Sequence, residues 1–96
     1  MKVEFSDQAE DQVGRIDAWW RANRRAAQDL FTDELEAAVV ALSETPTLGV
    51  GYQGASEPVR RVLLPRTHYH LYFTQEADRL LVVAVWSAFR GSGPKL

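Results

Sequence analysis

The segment Arg79-Leu80-Leu81-Val82-Val83-Ala84-Val85-Trp86 contains the longest uninterrupted apolar run of this 96-residue chain. Its valines favour a strand, and apolar residues at both odd and even positions are typical of a strand covered on both faces. Charged residues precede the segment at 76–78, and a Gly-Ser-Gly-Pro sequence follows at 91–94. We therefore predict that this strand lies inside a sheet.

The length and composition predict a single domain over residues 1–96, with a short tail within 85–96, because 46% hydrophobic content supports one core. The apolar run is shorter than the roughly 20 residues of a membrane helix, and no signal-peptide pattern opens the chain. We expect a cytoplasmic protein that does not enter a membrane. With no cysteine and two histidines, we expect neither a metal nor another cofactor.

The charge is divided unevenly along the chain. Residues 1–58 hold five Lys and Arg against eleven Asp and Glu, and residues 59–96 hold six against two. The net charge of −2 is thus the result of −6 in the first segment and +4 in the second. A basic segment of this kind favours an anionic partner, either nucleic acid or an acidic stretch of protein.

The first half of the chain predicts a strand and two helices. The alternation at 2–5 is typical of a short strand, and Ser6 is a suitable N-cap for a helix with Asp7 in its first turn. A second amphipathic helix is predicted from Arg24 to Ser43, so the two form an antiparallel hairpin. The core stripes are Ala9, Val13, Ile16 and Trp20 in the first helix, and Ala27, Phe31, Leu35, Ala38 and Leu42 in the second. The acidic residues of the second helix (Asp29, Asp33, Glu34 and Glu36) are interpreted as a solvated face.

The second half predicts a loop and a meander. Five Gly and Pro residues between 44 and 58 indicate a long loop. Strands are predicted at 59–64, 69–74 and 79–86, and form a three-stranded antiparallel meander. The first strand is expected to join this sheet antiparallel to its neighbour, with the helices on one face. The predicted class is α+β, with four strands.

Three segments, in this order and spacing, resemble the RelE/ParE superfamily of bacterial type II toxin-antitoxin toxins over nearly the whole chain. They are residues 6–11 (Ser-Asp-Gln-Ala-Glu-Asp), residues 59–64 with 69–73 (Val-Arg-Arg-Val-Leu-Leu and Tyr-His-Leu-Tyr-Phe), and residues 83–91 (Val-Ala-Val-Trp-Ser-Ala-Phe-Arg-Gly). The resemblance implies a growth-inhibiting toxin held in check by a cognate antitoxin. One branch cleaves mRNA on the ribosome, and the ParE branch poisons DNA gyrase.

The resemblance to the ribonuclease branch is incomplete at its catalytic positions. His70 stands where that branch tends to have an arginine, Ser87 stands where a histidine is common, and Arg90 matches the terminal arginine. No tyrosine follows Arg90. Acid-base chemistry on RNA needs a group that exchanges a proton near neutral pH, which arginine cannot do. The resemblance therefore favours the ParE branch, with gyrase as the target and no enzymatic activity of its own.

The candidate functional residues belong mainly to the basic segment. If the chain is a ribonuclease, the catalytic candidates are Arg61, His70 and Arg90. Binding of the target or the antitoxin is assigned to residues with guanidinium or aromatic groups, which suit carboxylates, phosphates and stacking: Arg60, Arg61, Arg66, Tyr72, Trp86, Phe89 and Arg90. The alternative for the arginines is a solvated position paired with helix carboxylates.

The expected partners are a cognate antitoxin and DNA gyrase, with contact to operator DNA only through the antitoxin. The antitoxin is expected to cover the basic meander and its open edge, because a sheet with helices on one face leaves the other face and an edge uncovered. Two alternatives stay open: a ribosome-dependent mRNA endonuclease, and a non-toxic module that only binds an antitoxin.

Overall fold

Five strands form one sheet in the computed structural model, which describes all residues from 1 to 96. In chain order the elements are β1 (Lys2–Phe5), α1 (Asp7–Asn23), a 3-10 turn (Arg25–Ala27), α2 (Leu30–Glu44), β2 (Val50–Tyr52), β3 (Val59–Leu64), β4 (Tyr69–Gln75) and β5 (Arg79–Ser87). The strand order across the sheet is β1-β5-β4-β3-β2. The α+β class and the β3–β5 meander are confirmed.

The prediction that the first strand joins the sheet antiparallel to its neighbour was wrong, since β1 pairs with β5 in parallel, from Lys2 opposite Arg79 to Phe5 opposite Val82. The cause is a strand that we did not predict, β2, inside the expected loop at 44–58. The helix hairpin returns the chain to the end of the sheet at which β1 ends, and β2 then runs antiparallel to β1. Each later strand therefore runs opposite to its predicted direction, and β5 is parallel to β1.

The helices begin and end for local reasons. Ser6 caps α1 as predicted, because its Oγ accepts a hydrogen bond from the Ala9 N–H at 3.1 Å. The predicted start of the second helix at Arg24 was wrong. Arg24 has a non-helical backbone (φ −129°, ψ 64°), and a 3-10 turn follows it before α2 begins at Leu30. The reversal between the two helices therefore uses residues 24–29.

The main core lies between the helices and one face of the sheet. Ala9 of α1 and Phe31, Leu35 and Leu42 of α2 pack on buried residues from the three meander strands: Leu64, Leu71, Phe73, Leu80, Val82 and Val85. A β-bulge in β5 interrupts this pattern, because Phe73 pairs with Val82 and Tyr72 with Ala84, so Val83 has no partner on β4. The extra residue directs Ala84 and Trp86 to the sheet face opposite the helices.

A smaller core covers that opposite face. Buried Val59, Tyr72 and Ala84 pack there with partly buried side chains from the 52–58 segment and from β5. The C-terminal tail contributes as well: the Trp86 Nε1–H donates to the Ser92 carbonyl at 2.9 Å, and Pro94 is buried. Gly93 lies against the Tyr52 hydroxyl, which a side chain at this position would displace, so the tail packs closely on the end of Tyr52. Strand β5 is thus covered on both faces, as predicted.

Candidate functional site

Arg61 is the centre of an aromatic cluster on the sheet face away from the helices. Its Nη1 donates to the Tyr72 hydroxyl at 3.3 Å, and its guanidinium carbon lies 5.3 Å from the Tyr52 ring centroid and 5.9 Å from that of Tyr72. No carboxylate lies within ion-pair distance of Arg61. The cluster therefore holds a positive charge that only aromatic rings and a hydroxyl stabilise.

His70 lies on the same face, opposite Leu63 on β3 and Trp86 on β5. Burial lowers the pKa of His70, and the positive charge of Arg61 lowers it further. Both effects disfavour the charged imidazolium form of His70. Its nearest aromatic partner is Tyr72, whose ring centroid lies 6.0 Å away.

Arg90 stacks on Trp86 just beyond the end of β5. Its guanidinium carbon lies 4.3 Å from the Trp86 ring centroid, and it forms no ion pair. The neighbouring Phe89 is 77% exposed and lies 4.7 Å from the ring of His68, which has a left-handed backbone (φ 62°) in the β3–β4 turn. The end of β5 therefore presents an unpaired cation and an exposed aromatic ring.

Three of the predicted binding residues also make contacts within the fold, Tyr72 and Arg60 through their side chains and Arg66 through its backbone. Tyr72 is 2% exposed, so only its hydroxyl reaches another polar group. The guanidinium of Arg60 donates to the carbonyls of Pro46 and Leu48 and lies 5.0 Å from the Phe73 ring, so it fastens the chain before β2 to the sheet. Arg66 is exposed, and its backbone N–H donates to Glu34. None of the four candidate arginines pairs with a carboxylate side chain, contrary to the structural alternative.

Glu34 differs from the solvated face predicted for the acidic residues of α2. Its carboxylate accepts hydrogen bonds from the backbone N–H groups of Arg66 and Thr67, at 2.7 and 2.9 Å, and from the Thr67 hydroxyl at 2.6 Å. Burial raises the pKa of Glu34, but these hydrogen bonds and the charge of Arg66 lower it by more, so the net shift is downward. Glu34 thus ties the β3–β4 turn to α2.

A groove with a mainly apolar lining separates α2 from the outer edge of β3. We call it the α2/β3 groove; it has a volume of about 500 Å³, and its lining consists of Leu48, residues 62–66 and six residues of α2: Asp33, Glu34, Ala37, Ala38, Ala41 and Leu42. Strand β2 pairs only with Val59, Arg60 and Arg61, so the edge of β3 from Val62 to Leu64 has no strand partner on that side. An unpaired edge beside an apolar groove is a site where another chain can add.

A second groove, which the sequence did not predict, lies between α1 and the end of β5. We call it the α1/β5 groove; it has a volume of about 370 Å³, and its walls include Arg15, Trp19, Trp86 and Arg90. Helical spacing relates the α1 residues of this groove, which are Gln12, Arg15, Ile16 and Trp19. Ile16 also belongs to the core stripe. This spacing is the sequence pattern from which the groove could have been predicted.

No three His, Asp or Glu side chains come together as metal ligands would. None of the helices has both the length and the apolarity needed to cross a bilayer.

The comparison with protein families decides the classification. Residues 3–90 match the family model described as the ParE toxin of the type II toxin-antitoxin system parDE. The chain belongs to the ParE toxin family. The predicted resemblance to the RelE/ParE superfamily, and to its ParE branch, is therefore confirmed.

Solved structures support the fold of this ParE-family chain. One match is a chain of the chromosomal ParDE toxin-antitoxin system from P. aeruginosa, with a TM-score of 0.74 over 91% of this chain and 95% of that chain. The sequence identity is 15%, so the likeness concerns the fold. No curated protein matches the sequence significantly.

Proposed function

We propose that this ParE-family toxin inhibits growth by poisoning DNA gyrase, and that a cognate antitoxin neutralises it in the cytoplasm. The observation that carries the proposal is that Arg61 and Arg90 lack acidic partners. Both guanidiniums rest on aromatic rings, and neither has a carboxylate partner within the chain. A guanidinium in this state suits binding to carboxylate or phosphate groups of a target.

The chemistry around these arginines favours binding over RNA cleavage. General acid-base cleavage needs one group to remove a proton and another to supply one. His70 is the only histidine on this face, and the hydroxyl of its neighbour Tyr72 already accepts a hydrogen bond from Arg61 in a buried position. The charged neighbour of His70 is Arg61, which cannot exchange a proton near neutral pH, and this supports gyrase over ribosome-bound mRNA as the target.

Purified components test this assignment. The toxin is incubated with gyrase and supercoiled plasmid, and in parallel with translating ribosomes carrying a defined mRNA. We expect accumulation of gyrase-cleaved DNA and intact mRNA. Cuts at codon positions in the mRNA, with no effect on gyrase, would replace the proposal with the endonuclease alternative, and inactivity in both assays together with harmless expression would favour a module that only binds an antitoxin.

The α2/β3 groove and the free edge of β3 support a position for the antitoxin. An extended segment can pair with the backbone of residues 62–64, while apolar side chains of the same partner fill the groove beside α2. The +4 charge of residues 59–96 favours a partner that is acidic where it contacts the toxin. The toxin itself reaches operator DNA only through this antitoxin. Co-purification with the product of an adjacent small gene is the direct measurement.

A further inference from the structure

The α1/β5 groove combines cations and aromatic rings without any acidic residue in its lining. Arg15 comes from α1 and Arg90 from the end of β5, and neither forms an ion pair. A third guanidinium, that of Arg24, lies 5.8 Å from the Trp19 ring centroid. The groove therefore has a positive potential that no carboxylate of its walls neutralises.

The aromatic walls of the groove are held in fixed positions. Trp19 packs edge-on against Trp20 at 5.8 Å between ring centroids, and Trp20 in turn donates its Nε1–H to the Tyr69 hydroxyl at 3.2 Å. Trp86 is fixed by its hydrogen bond to Ser92. Trp19 is nevertheless 47% exposed, so part of its ring is accessible in the groove.

The edge of β5 at the floor of the groove is closed by a side chain. Strand β1 pairs only with residues 79–82, so the later half of β5 pairs with β4 on one side and has no strand on the other. The amide oxygen of Gln12 accepts the Val85 N–H at 2.7 Å, which satisfies the backbone there. The Val85 N–H therefore does not need an added strand as its partner, and Arg15 and Arg90, which form no ion pair, remain to bind a smaller group.

We infer that the α1/β5 groove binds a nucleotide unit, with the base against the exposed ring of Trp19 and the phosphate at Arg15 and Arg90. A volume of about 370 Å³ lies within the range of small-ligand sites, which is roughly 300–1,000 Å³. Bases of every type stack on aromatic rings, and guanidinium is the preferred donor to phosphate. A carboxylate side chain of a protein partner would engage the arginines but leave the exposed ring of Trp19 unused. This inference does not depend on the proposals about gyrase and the antitoxin.

The experiment is calorimetric titration of the full-length protein with two probes, AMP and a short single-stranded oligonucleotide. We expect Arg15→Ala and Trp19→Leu each to weaken binding about tenfold, because each removes one charge-assisted contact or one stacking contact. Equal affinity for the two probes assigns the site to free nucleotides. Affinity at least about tenfold higher for the oligonucleotide assigns it to a nucleic acid strand.

Arg25→Ala is the matched control, because Arg25 is an exposed arginine near the groove that does not line it. It removes the same charge and should leave the affinity within about twofold. Thermal melting of all three variants checks the fold. The side chain of Arg15 is exposed and forms no ion pair, so Arg15→Ala should fold normally and still tests the inference if Trp19→Leu is destabilised. Binding of both probes weaker than about 1 mM, or an equal loss in Arg25→Ala and Arg15→Ala, overturns the inference.

Discussion

The guanidinium of Arg90 lies above Trp86 without an ion pair, whereas the carboxylate of Glu34 receives three hydrogen bonds from the β3–β4 turn. The two charged residues therefore differ in what their removal affects. Arg90 has few contacts to lose within the fold, so its substitution reports on binding. Glu34 connects two elements, so its substitution reports on stability.

Arg90→Ala should abolish or sharply reduce growth inhibition. The lost contact within the fold is one exposed cation–π pair, so the stability should fall by no more than about 1 kcal/mol. Growth after induced expression measures toxicity, thermal melting measures stability, and titration with the antitoxin shows whether that interface persists. Full toxicity with an unchanged melting temperature would remove Arg90 from the target-binding surface, and a large loss of stability would indicate a structural role.

Glu34→Gln should lower the free energy of unfolding at pH 7 by about 1 kcal/mol, a value reduced for the partial exposure of the carboxylate. The pKa of Glu34 is lowered in the folded state. A carboxylate of this kind adds stability above its unfolded pKa and loses that contribution as the pH falls through the folded pKa. The difference between wild type and Glu34→Gln should therefore disappear in acid. Melting curves of wild type and Glu34→Gln from pH 7 to pH 3 measure this difference, with Glu36→Gln, at an exposed position, as the control. A difference that does not change with pH would contradict stabilisation by the ionised carboxylate.

Phe31 is the residue through which α2 packs most closely on the sheet. It is fully buried and lies edge-on to Tyr69, with 5.1 Å between the ring centroids. Phe31→Ala should cost about 3–5 kcal/mol, because it removes apolar contact and leaves a cavity. Denaturant unfolding measures this loss. Val40→Ala on the same helix is the control, since Val40 is 54% exposed. A Phe31→Ala variant as stable as the control would mean that the stripe of α2 does not form the core.

The elements that the sequence predicted well have a strong period or a clear cap. Strands β1 and β3, the Ser6 cap and the core position of Phe31 are confirmed because local alternation and helical spacing determine them. Strand β2 was missed because its three residues include a glycine and are held by non-local contacts. Arg60 reaches back to Pro46 and Leu48, and Gly49 has a left-handed backbone (φ 93°).

The candidate site was predictable only in part, because the directions of its side chains also depend on non-local strand pairing. Arg61 was identified as a basic residue within a strand and Arg90 as one that follows a strand, and the structure leaves both without carboxylate partners. Arg60 could not be separated from Arg61 in the sequence, since only the pairing of β3 directs one side chain to the helix side and the other to the opposite face. The bulge at Val83, which sets the direction of Trp86, left no signal in the apolar run of β5.

Across the whole molecule, the surfaces assigned to the target and to the antitoxin lie at different parts of the sheet. Arg90 follows β5, which is next to β1, and the Arg61 side chain lies with Tyr72 on the sheet face away from the helices, whereas the α2/β3 groove lies beside α2 at the edge of β3. The two surfaces should therefore be separable by mutation. A toxin whose antitoxin covered Arg90 directly would not allow this.

Ala41→Glu should weaken antitoxin binding at least about tenfold while preserving toxicity. Ala41 is exposed and lines the α2/β3 groove, so a glutamate there places a charge where an apolar segment would remove it from water. Glutamate is also a good helix former, so α2 should remain stable. Val40→Glu introduces the same charge one residue away and outside the groove lining, and should bind the antitoxin nearly as wild type does. Titration of the purified antitoxin against both variants, with growth assays in cells that express the antitoxin, measures the outcome. Equal affinities for the two variants would show that the antitoxin binds elsewhere. If only cells with the Ala41→Glu toxin grow poorly while they express the antitoxin, the groove is the interface through which the antitoxin neutralises the toxin.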